Sequence, residues 1–172
     1  MAQVEIRELK PATDESHLEQ LLEAYLEIFN HPDNLVYLSL TQIPFEEGST
    51  RKWLSRSEDE GRRYFAVVGK GDDILALSVV KADQVTGFEV SKLAVRPEVK
   101  YQGFGRLLID CALTTAAGEG YQAVDASVSA DNDATLRLTV GSGFMPVRMT
   151  HHLRADGGDI VHMRNYLNRE KE

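Results

Sequence analysis

Only one of the 172 residues is cysteine, Cys111, so no disulfide can form within the chain and its stability must come from a packed core, which suits a reducing compartment. Positive charge is also scarce. The 19 Lys and Arg are outweighed by 27 Asp and Glu, a formal charge of −8, and a chain of that sign is repelled by phosphate backbones and anionic lipid. Nucleic acid and membrane therefore drop out as partners. Long apolar runs are missing as well: the longest, residues 74–80, is interrupted by Ser78 and falls far short of the roughly 20 residues that cross a bilayer. Glu5, Arg7, Glu8 and Lys10 stand where a secretory leader would need an apolar stretch. These absences describe a soluble, cytoplasmic protein, and the length suits one domain over residues 1–172.

What is present reads as a mixed α/β chain. Val4, Ile6 and Leu9 predict a short strand, and Ser16-His-Leu-Glu19 has the form of a capping box opening a helix whose apolar positions run from Leu18 to Phe29. An irregular stretch with Pro32, Asn34 and Pro44 continues to Gly48, and a loop of that length is more often functional than idle. A second helix is predicted over 50–57. Strands at 64–68 and 74–80 form a hairpin across Gly69 to Asp73, and a third strand spans 88–95. Phe104, Leu107, Leu108, Cys111, Ala112 and Thr115 share one helix face, closed by Gly118 and Gly120. A strand at 124–128, a short helix at 132–140 and a hairpin of 145–154 with 160–167 complete the chain.

The chemistry concentrates between residues 93 and 106. Gly103 and Gly105 allow a tight turn with outward N–H groups, and the helix beginning there adds the positive end of its dipole, which together make an anion cradle. Arg96, Lys100 and Arg106 reverse the local sign of an acidic protein, as a multiply charged phosphate ligand requires. Nucleotide fingerprints do not fit: Leu108 occupies the place of the third glycine of a dinucleotide motif, and Gly-Lys-Ser/Thr occurs nowhere.

Three features follow one another in order. They are Glu89-Val-Ser-Lys-Leu-Ala-Val95, Lys100-Tyr-Gln-Gly-Phe-Gly105, and Asn132 followed eleven residues later by Gly143-Phe144. Together they resemble the GNAT superfamily of N-acetyltransferases, which move acetyl from acetyl-CoA to an amine. The family's pyrophosphate motif is Arg/Gln-x-x-Gly-x-Gly/Ala, here with lysine in first place. The resemblance implies a single α/β domain whose mixed, mostly antiparallel sheet contains a splayed central strand pair flanked by helices. It places the backbone of Leu93, Ala94 and Val95 along the pantetheine arm, and Lys100, Tyr101, Gln102, Gly103, Phe104, Gly105 and Arg106 at the pyrophosphate. Asn132 is implied to bond the arm, although a cap on the short helix is its plainer use. Glu89 is implied as the base that deprotonates the acceptor ammonium, against the plainer reading of a solvated strand residue.

Many family members carry a tyrosine acid seven residues after the asparagine. Thr139 stands there instead, leaving Tyr101, Tyr166 or water as donors to the departing thiolate. The expected activity is transfer of acetyl from acetyl-CoA to a primary amine of a small molecule or protein N-terminus in a ternary complex. A catalytically degenerate acyl-CoA sensor or interaction module is the alternative, and an α/β domain with no CoA site is a third. Asp33, Tyr37, Phe45, Glu46 and Glu47 point to a cationic acceptor, and a homodimer is left open. No metal site is expected, because His151 and His152, read as strand neighbours, face opposite ways.

Overall fold

Seven strands assemble into one sheet in the computed structural model, which describes residues 3–168 apart from the side chains of residues 57 and 58. The expected domain limits, 1 and 172, lie outside the described residues. The strands are β1 (Glu5–Leu9), β2 (Arg62–Val68), β3 (Ile74–Asp83), β4 (Gly87–Val95), β5 (Ala123–Ser129), β6 (Met145–Thr150) and β7 (Ile160–Tyr166), in the order β1-β2-β3-β4-β5-β7-β6. Every neighbouring pair is antiparallel except β4 and β5. Helices α1 (Glu15–Ala24), α2 (Pro32–Leu38) and α3 (Glu47–Leu54) belong to one side, and α4 (Phe104–Gly118) covers the other, with α5 (Asp133–Gly141) following β5. The sheet thus separates two apolar clusters, one around Leu21, Tyr25, Phe29 and Leu54, the other around Phe88, Leu108, Ile109 and Val124. Among the described residues no helix is long and apolar enough to cross a membrane.

Several boundaries differ from the sequence expectation. Helix α1 is capped by Asp14, whose Oδ1 accepts from His17 N at 3.1 Å, so the cap lies upstream of Ser16. A carboxylate acceptor in extended backbone suits the helix's positive end better than a hydroxyl. Past Ala24 the chain widens into one π-turn, Tyr25–Phe29, closed by Asn30 N on Tyr25 O at 3.2 Å. The stretch expected to be irregular contains α2. Pro32 stands at its start instead of breaking the chain, because the missing N–H costs nothing there. Helix α3 begins and ends earlier than predicted, and β6 stops at Thr150 instead of reaching residue 154.

Two irregularities in β4 create the site. First, the β3–β4 register shifts between Val79 and Val80, which pair with Lys92 and Val90, so Ser91 is an extra residue; its hydroxyl donates to Val79 O at 3.1 Å. A bulge reverses which residues share a face. Phe88 and Val90 before it and Leu93 and Val95 after it all pack toward α4, while Ala94 packs toward the α1 side. Glu89 and Lys92 lie opposite Lys81 and Val79 and therefore share that second face. Second, β4 and β5 pair only at Phe88–Val124, Glu89–Asp125 and Val90–Ala126. Beyond these the parallel strands part, as the resemblance implied.

Candidate active site

The parting of β4 and β5 opens a cleft of about 1110 Å³ that runs from the N-terminus of α4 through the sheet to α2. Its size fits a large ligand of mixed polarity. The β3–β4 ladder decides what β4 presents to it. Arg96 N donates to Leu75 O at 2.8 Å, and hydrogen-bonded pairs alternate along an antiparallel ladder. Ala94 and Lys92 therefore turn their backbone groups to β3, and Leu93 and Val95 turn theirs to the gap. One acceptor there is already engaged: Val95 O receives Asn34 Nδ2 at 3.1 Å, and the same amide group donates to Ile28 O at 2.9 Å. Asn34, buried in α2, fixes that helix against the end of β4.

At one end of the cleft the chain makes an anion cradle from its backbone. Tyr101 and Gly103 adopt φ of +65° and +89°. The first bond of α4 runs from Leu107 N to Gly103 O at 3.1 Å, so the N–H groups of residues 101–106 have no acceptor among the described residues. The two glycines serve different ends. Gly103 needs its left-handed φ, whereas a Cβ on Gly105 would lie 3.1 Å from Leu138 Cδ2 and 3.6 Å from Leu93 Cδ2, inside the cleft. Lys100 and Arg137 contribute positive charge, and Arg106 lines the cleft with its guanidinium paired to Asp110 at 2.9 Å and bonded to Gly141 O at 3.3 Å. Arg96 does not: its guanidinium bonds Glu27 at 2.7 Å and Ile74 O at 2.6 Å, away from the cradle. Of the residues expected to bind the donor, Leu93, Ala94, Val95, Lys100, Tyr101, Gly103, Phe104, Gly105, Arg106 and Asn132 all line the cleft, and Gln102 does not.

Asn132 is the N-cap of α5, its Oδ1 accepting from Thr135 N at 3.2 Å. That leaves its NH₂ group for a ligand. Thr139 is buried, and its hydroxyl donates to Thr135 O and Leu136 O, both at 3.0 Å, so it is a packing residue of α5.

The other end is built from side chains. Glu89 is half-buried beside the last paired rung, just outside the residues lining the cleft, and its carboxylate has no hydrogen bond or ion pair among the described residues. Lys92, two registers further along the same face, does line the cleft; burial first, then Lys81 and Arg62, push its ammonium pKa down, against the pull of Glu89. Ser127 on β5 lies 3.1 Å from His162 Nδ1, and Thr150 Oγ1 lies 2.8 Å from Nε2. Burial and then Arg148 hold that imidazole below its usual pKa, with Glu89 and Asp125 opposing. Arg154, almost wholly buried, bonds both Asp131 (2.6 and 3.1 Å) and Asp156, and stands over the Tyr37 ring at 5.8 Å. It ties the β6–β7 turn to the β5–α5 turn and to α2.

Of the residues expected at this end, Asp33 and Tyr37 line the cleft. Phe45 instead packs on Tyr25 at 5.2 Å and is held by Asn30, while Glu47 lies 3.7 Å from Arg51 and Glu46 caps α3 by its backbone, and none of these three lines the cleft. His151 and His152 sit in a turn rather than a strand; their rings are 6.3 Å apart, and each is held separately, His151 by Asp159 and His152 by Gly157 O. Cys111 is half-buried with its thiol pKa raised by burial, which fits packing. Lys92, Ser127, His162 and Arg154 were missed. Their only signal is long-range pairing of strands.

The acetyltransferase (GNAT) family profile matches residues 18–144. No curated protein sequence matches the chain. Among solved structures, an N-acetyltransferase from Staphylococcus aureus Mu50 superposes with a TM-score of 0.78 at 14% identity, covering 97% of this chain and 100% of that one. The ribosomal-protein-S18-alanine N-acetyltransferase from Escherichia coli gives 0.74 at 18% identity, covering 99% and 97%. A Salmonella typhimurium protein solved with its cofactor acetyl-CoA gives 0.71 at 16% identity, covering 98% and 96%. At these identities the structural likeness speaks for the fold. With the profile spanning most of its length, the chain belongs to the GNAT acetyltransferase family, whose co-substrate is acetyl-CoA.

Proposed function

We propose that this protein transfers acetyl from acetyl-CoA directly to a primary amine, of a small molecule or a protein N-terminus, within a ternary complex. The observation that carries the reading is the continuity of the cleft: amides without acceptors at the N-terminus of α4 open onto backbone groups of Leu93 and Val95 and then onto the face of Glu89. The residues present fit the donor. The N–H groups of residues 101–106, with Lys100, hold its pyrophosphate. Leu93 and Val95 align its arm as an added strand would be aligned, and the Asn132 NH₂ group bonds it from the opposite side. Bound there, acetyl-CoA supplies an activated thioester.

A β4 amide then faces the thioester oxygen, where negative charge develops. An acceptor ammonium near pKa 10 must lose a proton before it attacks, and Glu89 receives it through a water, since its carboxylate stands just outside the cleft wall. Asp33 and Tyr37 draw the cationic amine in from the α2 side. The thiolate leaves without a dedicated acid, because a thiol of pKa near 8.5 is a tolerable leaving group. A reducing cytoplasm suits the free Cys111.

Initial rates of CoA release across an amine panel test this. Intersecting double-reciprocal lines are expected with the preferred acceptor. Parallel lines would replace direct transfer with an acetylated-enzyme route, and tight acetyl-CoA binding without release for any amine would make the protein a sensor.

A further inference from the structure

The acidic chain pairs its cations with care. Among the described residues, Arg7, Arg51, Arg62, Arg63, Arg96, Arg154 and Arg164 are buried or half-buried, and each forms an ion pair with a carboxylate. The remaining half-buried cations are Lys92 and Lys100. Neither forms an ion pair with a described residue, and both line the cleft, one toward each end. A partly desolvated charge with no counter-ion is costly, and in a ligand site the cost is recovered when the ligand brings the opposite charge. Lys100, in the loop before α4, meets the pyrophosphate of the donor. Lys92 stands on the face opposite α4, beyond the reach of that cradle, and needs a different anion.

We infer that Lys92 binds a carboxylate carried by the acceptor, so that the substrate is an amine that also bears a carboxylate. This rests on the acetyl-transfer reading and names its substrate class. Charge decides for a monoanion. The neighbouring cations are the exposed Lys81 and the half-buried Arg62, and Arg62 is already paired with Glu60 and stacked on the Trp53 ring at 4.0 Å. Glu89 stands opposite Lys81 in the β3–β4 register and offsets one of the two ammonium groups, so one is left uncompensated, which a carboxylate matches and a dianionic phosphate would overfill. The bulge at Ser91 is what brings Lys92 to the face of Glu89. The acceptor's carboxylate thus meets Lys92 while its ammonium lies toward Glu89 and Asp33, and a zwitterion satisfies both signs at once.

The test uses matched probes: L-leucine against isopentylamine, and L-phenylalanine against phenethylamine. Wild type is expected to favour the carboxylate-bearing member of each pair in kcat/KM by about tenfold or more, the range of one charge-assisted hydrogen bond. Lys92→Met should bring the two members within about twofold by raising KM for the amino acid, with acetyl-CoA affinity unchanged by calorimetry. Lys92→Arg should keep part of the preference. Wild type using the decarboxylated amine equally well, or Lys92→Met retaining the preference, overturns the assignment. If no amine releases CoA, the transfer reading fails on its own. Calorimetric titration of the same probes into the CoA complex then decides the Lys92 site: amino-acid binding that Lys92→Met abolishes supports it, and equal or absent binding of both members overturns it.

Discussion

The two ends of the cleft are built by opposite means. At the α4 end the contacts come from consecutive backbone amides of residues 101–106, and two positive φ angles, at Tyr101 and Gly103, aim them. At the α2 end the lining side chains come from α2, β4 and β5, brought together by strand pairing and by the Asn34 anchor of α2, with His162 of β7 and Arg154 of the β6–β7 turn holding Ser127, Asp131 and Tyr37 from behind. A backbone cradle is short, contiguous and indifferent to most side chains. On the proposed reading it meets the part of the donor that every acetyl-CoA shares. A side-chain site is dispersed and can change one residue at a time, which is how one fold accepts different amines. Damage at the first end should therefore appear as lost donor affinity, and damage at the second as lost rate, selectivity or local stability.

The largest effect is expected at Glu89. Glu89→Gln keeps shape and removes the proton acceptor, so kcat at neutral pH should fall by roughly 10²-fold or more while CoA affinity stays as in wild type. A rate within threefold of wild type would remove Glu89 from the chemistry. Lost CoA binding instead would mean that the two ends are not separable.

Next comes the Arg154 junction. Replacing both carboxylates, Asp131→Asn with Asp156→Asn, leaves a buried guanidinium without a counter-charge. The double variant should unfold at lower denaturant than wild type, by less than the loss of a fully buried pair because both aspartates reach solvent. Denaturant unfolding measures it. Acid provides a second reading, because the Arg154 hydrogen bond, helped by Gly158 N, holds the Asp156 carboxyl well below the usual range. A carboxyl depressed in the folded state stabilises above its unfolded pKa of about 3.9, and that contribution is lost as pH falls through the folded value. Wild-type Tm should thus drop more steeply below pH 4 than that of the double variant.

At the donor end, Gly105→Val should weaken CoA binding by about tenfold or more, because its methyls would meet Leu138 and Leu93 within the cleft. Gly103→Val acts differently. A Cβ there meets open space, and the price is a left-handed φ of +89° that a β-branched residue resists, so the loop itself deforms. Calorimetry with CoA, beside a melting curve for each variant, separates obstruction from strain.

The same contrast explains what could be read from the residues alone. The cradle was legible because Gly103, Gly105, Lys100 and the helix after them are neighbours in the chain. The splay came with the family resemblance, and the structure supplies its limit at Val90 and Ala126. Helix α2 was hidden because Pro32 is equally a breaker and an N-terminal helix residue, and only the anchoring of Asn34 on Val95 O settles which. Lys92 was hidden by the bulge: strict alternation from Val90 puts it on the α4 side, and the extra residue at Ser91 moves it to the other. Arg96 looked like a phosphate ligand until a partner 69 positions away, Glu27, claimed it.

The smallest effect is expected at Thr139, where the comparison between ends predicts nearly nothing. The position could be a weakened acid only if its hydroxyl pointed at the leaving sulfur. It is instead buried and donates a shared hydrogen bond to Thr135 O and Leu136 O one turn back along α5. Both carbonyls are already within helical reach of other amides, so losing the hydroxyl leaves no orphaned donor and removes hydrogen bonds of modest net value. Valine keeps the shape. Thr139→Val should change kcat by less than about tenfold and stability by about 1 kcal/mol or less. Thr139→Tyr should not restore an acid, because the buried site has no room for a ring and α5 would have to shift. If the valine variant lost rate as steeply as Glu89→Gln while binding CoA normally, a proton path through α5 would exist, and the division of labour between the two ends would have to be redrawn around that helix.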